Sequence, residues 1–337
     1  MLRRQITIKD IARALNISTS TVSRALHDSH DVNPETRQAV LEMAEKYDYQ
    51  PNSIALQLRT QKSKTLGVII PSFQIPFYSF AISGIQEYAY ENGYNIITCQ
   101  SSESYSKEIA NIKTLVKSKV DGILLAISRE TALHYHLNDI YQRGIPIVMF
   151  NRVVKELNVS KVCVDDYKGA YEMVRYLINC GHRKIAHITG PLNLQLSRDR
   201  RKGYLDALHD SKINLSWDYI KEGDFTPDSG YACTKKLLEL SEVPDAIFCT
   251  CDAMAFGSIK ILKINGFKIP RDIAVSGFTD EPFAQLVDPT LTTISQPAYD
   301  IGRNAADLMI KQLHSVKNNH EPEIKVLPTK LVIRGSA

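Results

Sequence analysis

Residues 18–26 read STSTVSRAL, which puts five hydroxyl side chains and one arginine within nine residues. At 100° per residue along a helix, Val22, Ala25 and Leu26 fall on one side, while Ser20, Ser23, Arg24 and His27 gather on the other. The apolar side predicts burial against neighbouring helices, and the polar side is left for work. Short hydroxyls near a helix N-terminus let the backbone approach an anion and donate to phosphate oxygens. Arg24 can meet a guanine edge with two N–H groups. This suits a recognition helix in a DNA major groove, and it equally suits a solvated helix with capping serines, so the flanking sequence has to choose.

The flanks supply two more short helices. Thr7 is placed to cap a helix whose apolar stripe is Ile8, Ile11, Ala12 and Leu15. Asn16 follows at the turn, where its tolerance of the left-handed conformation is useful, and Ser18 caps the second helix. A third begins at Asn33-Pro34, a cap and first-turn pair, and is expected to bury Val40, Met43, Ala44 and Tyr47. Further on, PNSIALQLRT (51–60) has a cap candidate in Asn52 and an apolar row of Ile54, Ala55 and Leu58. A helix of about two turns is marginal alone in water.

From Leu66 the pattern changes. LGVII precedes a helix expected around 77–92, YNIITC precedes another around 106–118, and DGILLAI, IPIVMF, KIAHIT, AIFCT and IAVSGF follow in the same manner. Strands alternating with helices predict parallel sheets covered on both faces. Some 270 residues of this exceed one comfortable sheet, so two α/β lobes around a cleft are expected, with ligand at the carboxyl ends of the strands.

Charge is uneven along the 337 residues. Positions 1–64 hold ten Lys/Arg against seven Asp/Glu, whereas the remaining 273 hold 31 against 30. A basic head on a near-neutral body points to a polyanionic partner for the head. The N-terminus has no apolar leader, and no stretch approaches the roughly 18 apolar residues of a membrane span, so a cytoplasmic protein is expected. The six cysteines show no CxxC pairing. Cys249 and Cys251 are expected as buried thiols on one face of a strand. There is no GxxxxGK[ST], GxSxG or HExxH; Asp165-Asp166 would point to opposite faces of a strand, and His134 with His136 lacks a third ligand. No enzyme, cofactor or metal is expected.

The residue strings choose between the readings of the opening helix. Ile8-Lys9-Asp10-Ile11-Ala12, Ile17-Ser18, Thr21-Val22-Ser23-Arg24-Ala25-Leu26, Val32, Thr36-Arg37 and Tyr49-Gln50-Pro51-Asn52 closely resemble the headpiece of the LacI family, the lactose/galactose-repressor type of bacterial transcription regulators. The resemblance runs on through Val120-Asp121-Gly122-Ile123, Gly181-His182-Arg183-Lys184-Ile185-Ala186, Gly190-Pro191-Leu192, Ala253-Met254-Ala255-Phe256-Gly257 and Pro289-Thr290-Leu291-Thr292-Thr293-Ile294 to Leu331-Val332-Ile333-Arg334. It implies an all-α helix-turn-helix headpiece over 1–50, a hinge helix and linker over 51–64, and an α/β periplasmic-binding-protein-like core over 65–337. That core would comprise two Rossmann-like lobes with parallel sheets, an N-lobe of about 65–162 and 292–321 and a C-lobe of about 163–291 and 322–337.

The function implied is a sequence-specific DNA-binding transcriptional regulator, acting as a repressor, whose operator affinity is controlled allosterically by a sugar or sugar derivative bound between the lobes. A non-sugar metabolite such as a purine is the alternative effector, and a sugar-active α/β enzyme or a transport-type binding protein is the rival class. Thr19 and Ser20 match the two positions that choose between operators, with Arg24 as a further base or phosphate contact. Thr7, Ser18, Thr21, Ser23, His27, Asn33, Asn52, Ala55 and Leu58 complete the expected DNA-facing set. The leucine matching Leu58 wedges into the minor groove in the family. A near-palindromic operator read by a homodimer is expected, and the ending LVIRGSA has no heptad tail for a tetramer.

In the cleft, Phe77 and Tyr78 match aromatic ligand-stacking positions, Arg200 matches an arginine that bonds ligand hydroxyls or carboxylates, and Arg152 and Asp252, the latter just after the position of a usual ligand contact, are further expected contacts. Three positions depart from the family. Asn151 stands where Asp is frequent, Cys251 where Asn is usual, and Thr279 where Asp is usual. A plain neutral hexose is thereby less secure, and an acidic or phosphorylated sugar held by Arg200 and Arg152 becomes a competing expectation.

Overall fold

The computed structural model describes residues 6–26, 31–49, 62–315 and 321–337. The chain divides into two units, Met1–Ser63 and Lys64–Ala337.

The first unit holds α1 (Ile8–Ala14), α2 (Thr19–Leu26) and α3 (Pro34–Lys46). Ile11, Ala12, Val22, Ala25 and Val40 are buried together, with Ile8, Leu15, Leu26, Met43 and Ala44 packed against them. The wheel of α2 is therefore used as its periodicity predicts. Asn16 carries the left-handed turn between α1 and α2 at φ 54°. Tyr47 corrects the expectation for α3, since its ring is 43% exposed. It lies beyond the helix end, where Asp48 at φ 47° redirects the chain, and Tyr49 packs on the cluster instead.

The second unit contains two parallel sheets. β1 (Thr65–Ile70), β2 (Asn95–Gln100), β3 (Gly122–Leu125), β4 (Ile147–Phe150) and β5 (Ser160–Val164) join β11 (Ile324–Leu327) in the order β11-β5-β4-β3-β1-β2. β6 (Ile185–Thr189), β7 (Ile220–Glu222), β8 (Ala246–Cys249) and β9 (Ala274–Ser276) form the second sheet in the order β7-β6-β8-β9. β3, β4, β6 and β8 are buried at every position, as parallel strands covered on both faces must be.

The covering helices are α4 (Pro76–Glu91), α5 (Tyr105–Lys117), α6 (Tyr135–Gln142), α7 (Asp166–Asn179), α8 (Gln195–Asp210), α9 (Pro227–Leu238), α10 (Asp252–Ile264) and α11 (Ala298–His314). α4 and α11 approach closely because glycines face backbone. A Cβ on Gly84 would stand 2.1 Å from the Tyr299 carbonyl oxygen, and one on Gly302 only 1.9 Å from that of Ala81. The expected helices near 77–92 and 106–118 are thus α4 and α5.

Three passages join the sheets. β5 leads into α7, which packs on α8. β9 leads through β10 (Thr293–Ser295) to α11, which packs on α4. β11 leads to β12 (Lys330–Val332), antiparallel to β10. The lobe limits expected from sequence are corrected here, because Ile324–Leu327 extends the first sheet by pairing with β5 rather than joining the second. β5 itself spans the limit expected at 162/163. Sequence reading missed β7, β10, β11 and β12, which are short or only half-buried strands, and β5, whose mostly buried run SKVCV is broken by the polar Ser160 and Lys161. No helix among the described residues is long and apolar enough to cross a membrane.

Candidate functional site

On the headpiece, the hydroxyls of the opening stretch form one cluster. Ser18 Oγ accepts from the Thr21 backbone N–H at 3.0 Å, capping α2, and lies 2.6 Å from Ser20 Oγ and 2.8 Å from Thr21 Oγ1. Thr19, Ser20 and Arg24 are exposed, and Ser23 is half-buried on the same side. Thr7 is less available: its N–H and its hydroxyl both donate to Asp10, at 2.9 and 2.7 Å. Asn33 likewise uses Oδ1 to cap α3, accepting from the Glu35 N–H at 2.9 Å. His27, Asn52, Ala55 and Leu58 lie outside the described residues.

In the body, the segments that follow β1, β4, β6, β7, β8, β9 and β10 converge on a narrow cleft of about 60 Å³. The expected Phe77, Tyr78, Asn151, Arg152, Arg200, Cys251 and Thr279 all line it. Phe225, Glu281 and Gln296 join them, and sequence reasoning did not find these three. Phe77 and Tyr78 meet edge to face at 5.3 Å, and the Tyr78 hydroxyl donates to Asn151 Oδ1 at 3.1 Å. Asn151 holds φ 58° and Thr279 φ 138°. A β-branched residue at such a value is strained backbone, which concentrates at binding sites.

Asp252 is a correction. Its side chain is fully buried and absent from the cleft wall. Oδ1 accepts from the Thr293 hydroxyl at 2.5 Å and Oδ2 from the Glu281 N–H at 2.7 Å, so it ties the start of α10 to the passage between the sheets. Burial pushes its pKa up to about 6. Cys251 departs from the strand expectation as well. β8 ends at Cys249, and Cys251 is the N-cap of α10, with burial pushing its thiol up to about 12. Cys249 is buried as expected.

Both cleft arginines already hold carboxylates. Arg152 donates to Glu103 at 2.8 and 2.9 Å, and its guanidinium sits 4.7 Å from the Phe225 ring centroid. Arg200 donates from Nε to Asp166 at 2.8 Å and lies over Phe278 at 3.6 Å. Burial raises Asp166 to about 6, which leaves it ionised beside Arg200 at neutral pH. The Asp165-Asp166 pair was misplaced on a strand by sequence reasoning. Asp165 is instead the N-cap of α7, and Asp166 opens the helix pointing at Arg200. Glu103 has a second task, accepting from the Arg129 N–H at 2.7 Å. The Arg129 side chain pairs with Asp224 at 2.9 Å, and its carbonyl accepts from Asn193 at 2.6 Å. The Arg152 side of the cleft is thereby wired to contacts that span from the first sheet's loops to the second's. Among the described residues, no group of three His, Cys, Asp or Glu side chains is placed to hold a metal.

Residues 7–52 match the model for bacterial regulatory proteins of the lacI family, and residues 174–337 match a periplasmic binding protein-like domain. Catabolite control protein A of Priestia megaterium is 35% identical over 98% of this chain and 99% of its own. The HTH-type transcriptional repressor CytR of Escherichia coli K12 is also 35% identical, over 98% and 96%. Among solved structures, the transcriptional regulator CelR in complex with cellobiose is 29% identical and superposes at a TM-score of 0.75, covering 98% of this chain and all of its own.

Proposed function

Since this chain belongs to the lacI family of bacterial regulatory proteins, which are DNA-binding transcriptional regulators, we propose that it represses as a homodimer on a near-palindromic operator and is controlled by a hydroxylated, non-anionic effector in the cleft. It acts by binding rather than by catalysis. Thr19, Ser20 and Arg24 read base edges, and Ser18, Thr21 and Ser23 bring the backbone against phosphate. Leu58, outside the described residues, is the minor-groove wedge. The units are the headpiece, hinge and core with the boundaries given above, apart from the corrected lobe limit.

One observation carries the effector class. Arg152 and Arg200, the two cations of the cleft, are each neutralised inside the protein by Glu103 and Asp166. An added carboxylate or phosphate would compete with a buried ion pair and gain little, which argues against the acidic-sugar expectation. Hydroxyls, by contrast, can share the remaining guanidinium N–H groups, while the C–H face of a sugar ring packs on the aromatic lining of Phe77 and Phe225. The similar CelR structure holds cellobiose, which supports this chemistry. Closure on such a ligand would pull on Arg152, Glu103 and Arg129 together, and coupling of roughly 1 to 3 kcal/mol is typical of such switches.

Selection of duplexes from a randomised library by the full-length protein, with and without neutral sugars, tests the reading. Two-fold symmetric sites should be enriched, and a sugar should shift their retention. Absence of any enriched sequence under both conditions would reject it. Leu58→Ala should weaken binding of the selected duplex while leaving sugar affinity unchanged.

A further inference from the structure

Among the described residues, the cleft wall holds one acid, Glu281, whose carboxyl has no partner. In Thr279-Asp280-Glu281 the backbone runs through φ 138° and 63° before reaching Glu281. Asp280 turns to Arg334 at 2.7 Å, and the Glu281 N–H donates to Asp252. The Glu281 side chain, in a residue only 7% exposed, lines the cleft and also an adjoining hollow floored by Pro282, Pro297 and Tyr299. Among the described residues, no donor and no cation bonds its carboxyl. Gln296, on the wall of both cavities, donates from Nε2 to Thr279 Oγ1 at 3.1 Å, which leaves its Oε1 a buried acceptor without a partner. Glu281 and Gln296 thus share the walls of both cavities, where no described side chain supplies a donor to the Glu281 carboxyl or to Gln296 Oε1. The neighbouring cations are all occupied: Arg152 by Glu103, Arg200 by Asp166, Arg334 by Asp280.

We propose that Glu281 and Gln296 form an ammonium-accepting subsite, so that the effector is a hydroxylated molecule carrying a primary amine. This rests on the cleft being the effector site, as read above. A buried acceptor pair is costly to leave unmade, and an ammonium supplies three donors with the charge that a buried carboxylate lacks. The titratable groups that act on or with Glu281 are Asp252 and Cys251 at the start of α10, while Arg152 and Arg200 share its cleft wall and Asp280 is its chain neighbour. Burial, with Asp252 adding to it, pushes the Glu281 carboxyl up to about 7. In the free protein the native state therefore holds a proton that the unfolded chain, near 4.5, has released. The associated stability is complete below 4.5 and is lost as pH rises through 7.

Two measurements test the subsite. Calorimetry of the full-length protein with matched triads (glucose, 6-amino-6-deoxyglucose and glucuronate, and the corresponding galactose series) should give binding of the amine about tenfold or more tighter than the neutral sugar, and none of the acid. Glu281→Gln should erase the amine's advantage over the neutral sugar. Equal affinity for neutral and amino sugars, or an advantage that survives in Glu281→Gln, overturns the subsite and leaves the effector reading standing. A panel in which nothing binds rejects that reading and the subsite with it. Independently of any ligand, thermal unfolding should show Glu281→Gln gaining stability over the parent protein as pH rises from 4.5 to 8. A constant difference across that range would mean that the carboxyl is already satisfied, and would also overturn the proposal.

Discussion

The polar face of α2 and the cleft of the body handle charge in opposite ways. On α2 the polar groups stand in solvent, bonded to one another, and Arg24 is exposed. In the cleft the arginines are all but buried, at 5% and 3% exposure, and each is cancelled by a carboxylate within 3 Å. The difference fits the partner proposed for each. A duplex brings a dense row of phosphates, so cationic side chains on a reading surface must stay free to release counterions. A small molecule cannot offset the desolvation of a bare guanidinium, so the cleft must satisfy its ions internally before the ligand arrives. Glu281 is the exception that makes the cleft selective.

The contrast can be broken at either end. Arg200→Ala should have the largest effect. It strands Asp166 in the interior, and urea denaturation should show the body losing about 3 to 5 kcal/mol while the headpiece is unaffected. Adding Asp166→Asn should recover much of that loss. A change well under 1 kcal/mol would mean that the buried pair is not what holds the wall.

Arg24→Ala should do the reverse, leaving stability and sugar affinity in place while reducing discrimination between selected and random duplex by about 1 to 3 kcal/mol in gel-shift titrations. Equal weakening on both duplexes would make Arg24 a phosphate contact only. Ser18→Ala is the mildest. Losing the cap bond to Thr21 should weaken α2 by about 1 kcal/mol, visible as faster amide exchange at Thr21 with the body's amides unchanged. Unchanged protection at Thr21 would show that Ser20 and the other hydroxyls substitute for the cap.

The same contrast explains what could be read from the chain. The headpiece was legible because its determinants are local. The 3.6-residue stripe of α1 and α2, the left-handed Asn16 and the Asn33-Pro34 cap all act within a few residues of where they are written. Tyr47 failed because helix periodicity was extended past the point where the chain turns. In the body most buried strands were plain from their apolar runs, while β7 and β10–β12 were too short or too exposed to carry a pattern and β5 was masked by Ser160 and Lys161 in its run. Resemblance placed Phe77, Tyr78, Arg152 and Arg200, but misassigned Asp252.

The order of hydrophobic and polar residues thus determined by itself the class of each unit and which face of α2 is polar, because helix and strand periods are properties of the local backbone. The tertiary structure alone decided the electrostatics of the cleft. Arg200 finds its carboxylate 34 positions away and Arg152 finds its own 49 away, while Glu281 finds no cation among the described residues. Whether a buried ion is satisfied depends on which distant segments the fold brings within 3 Å, and no periodicity records that distance.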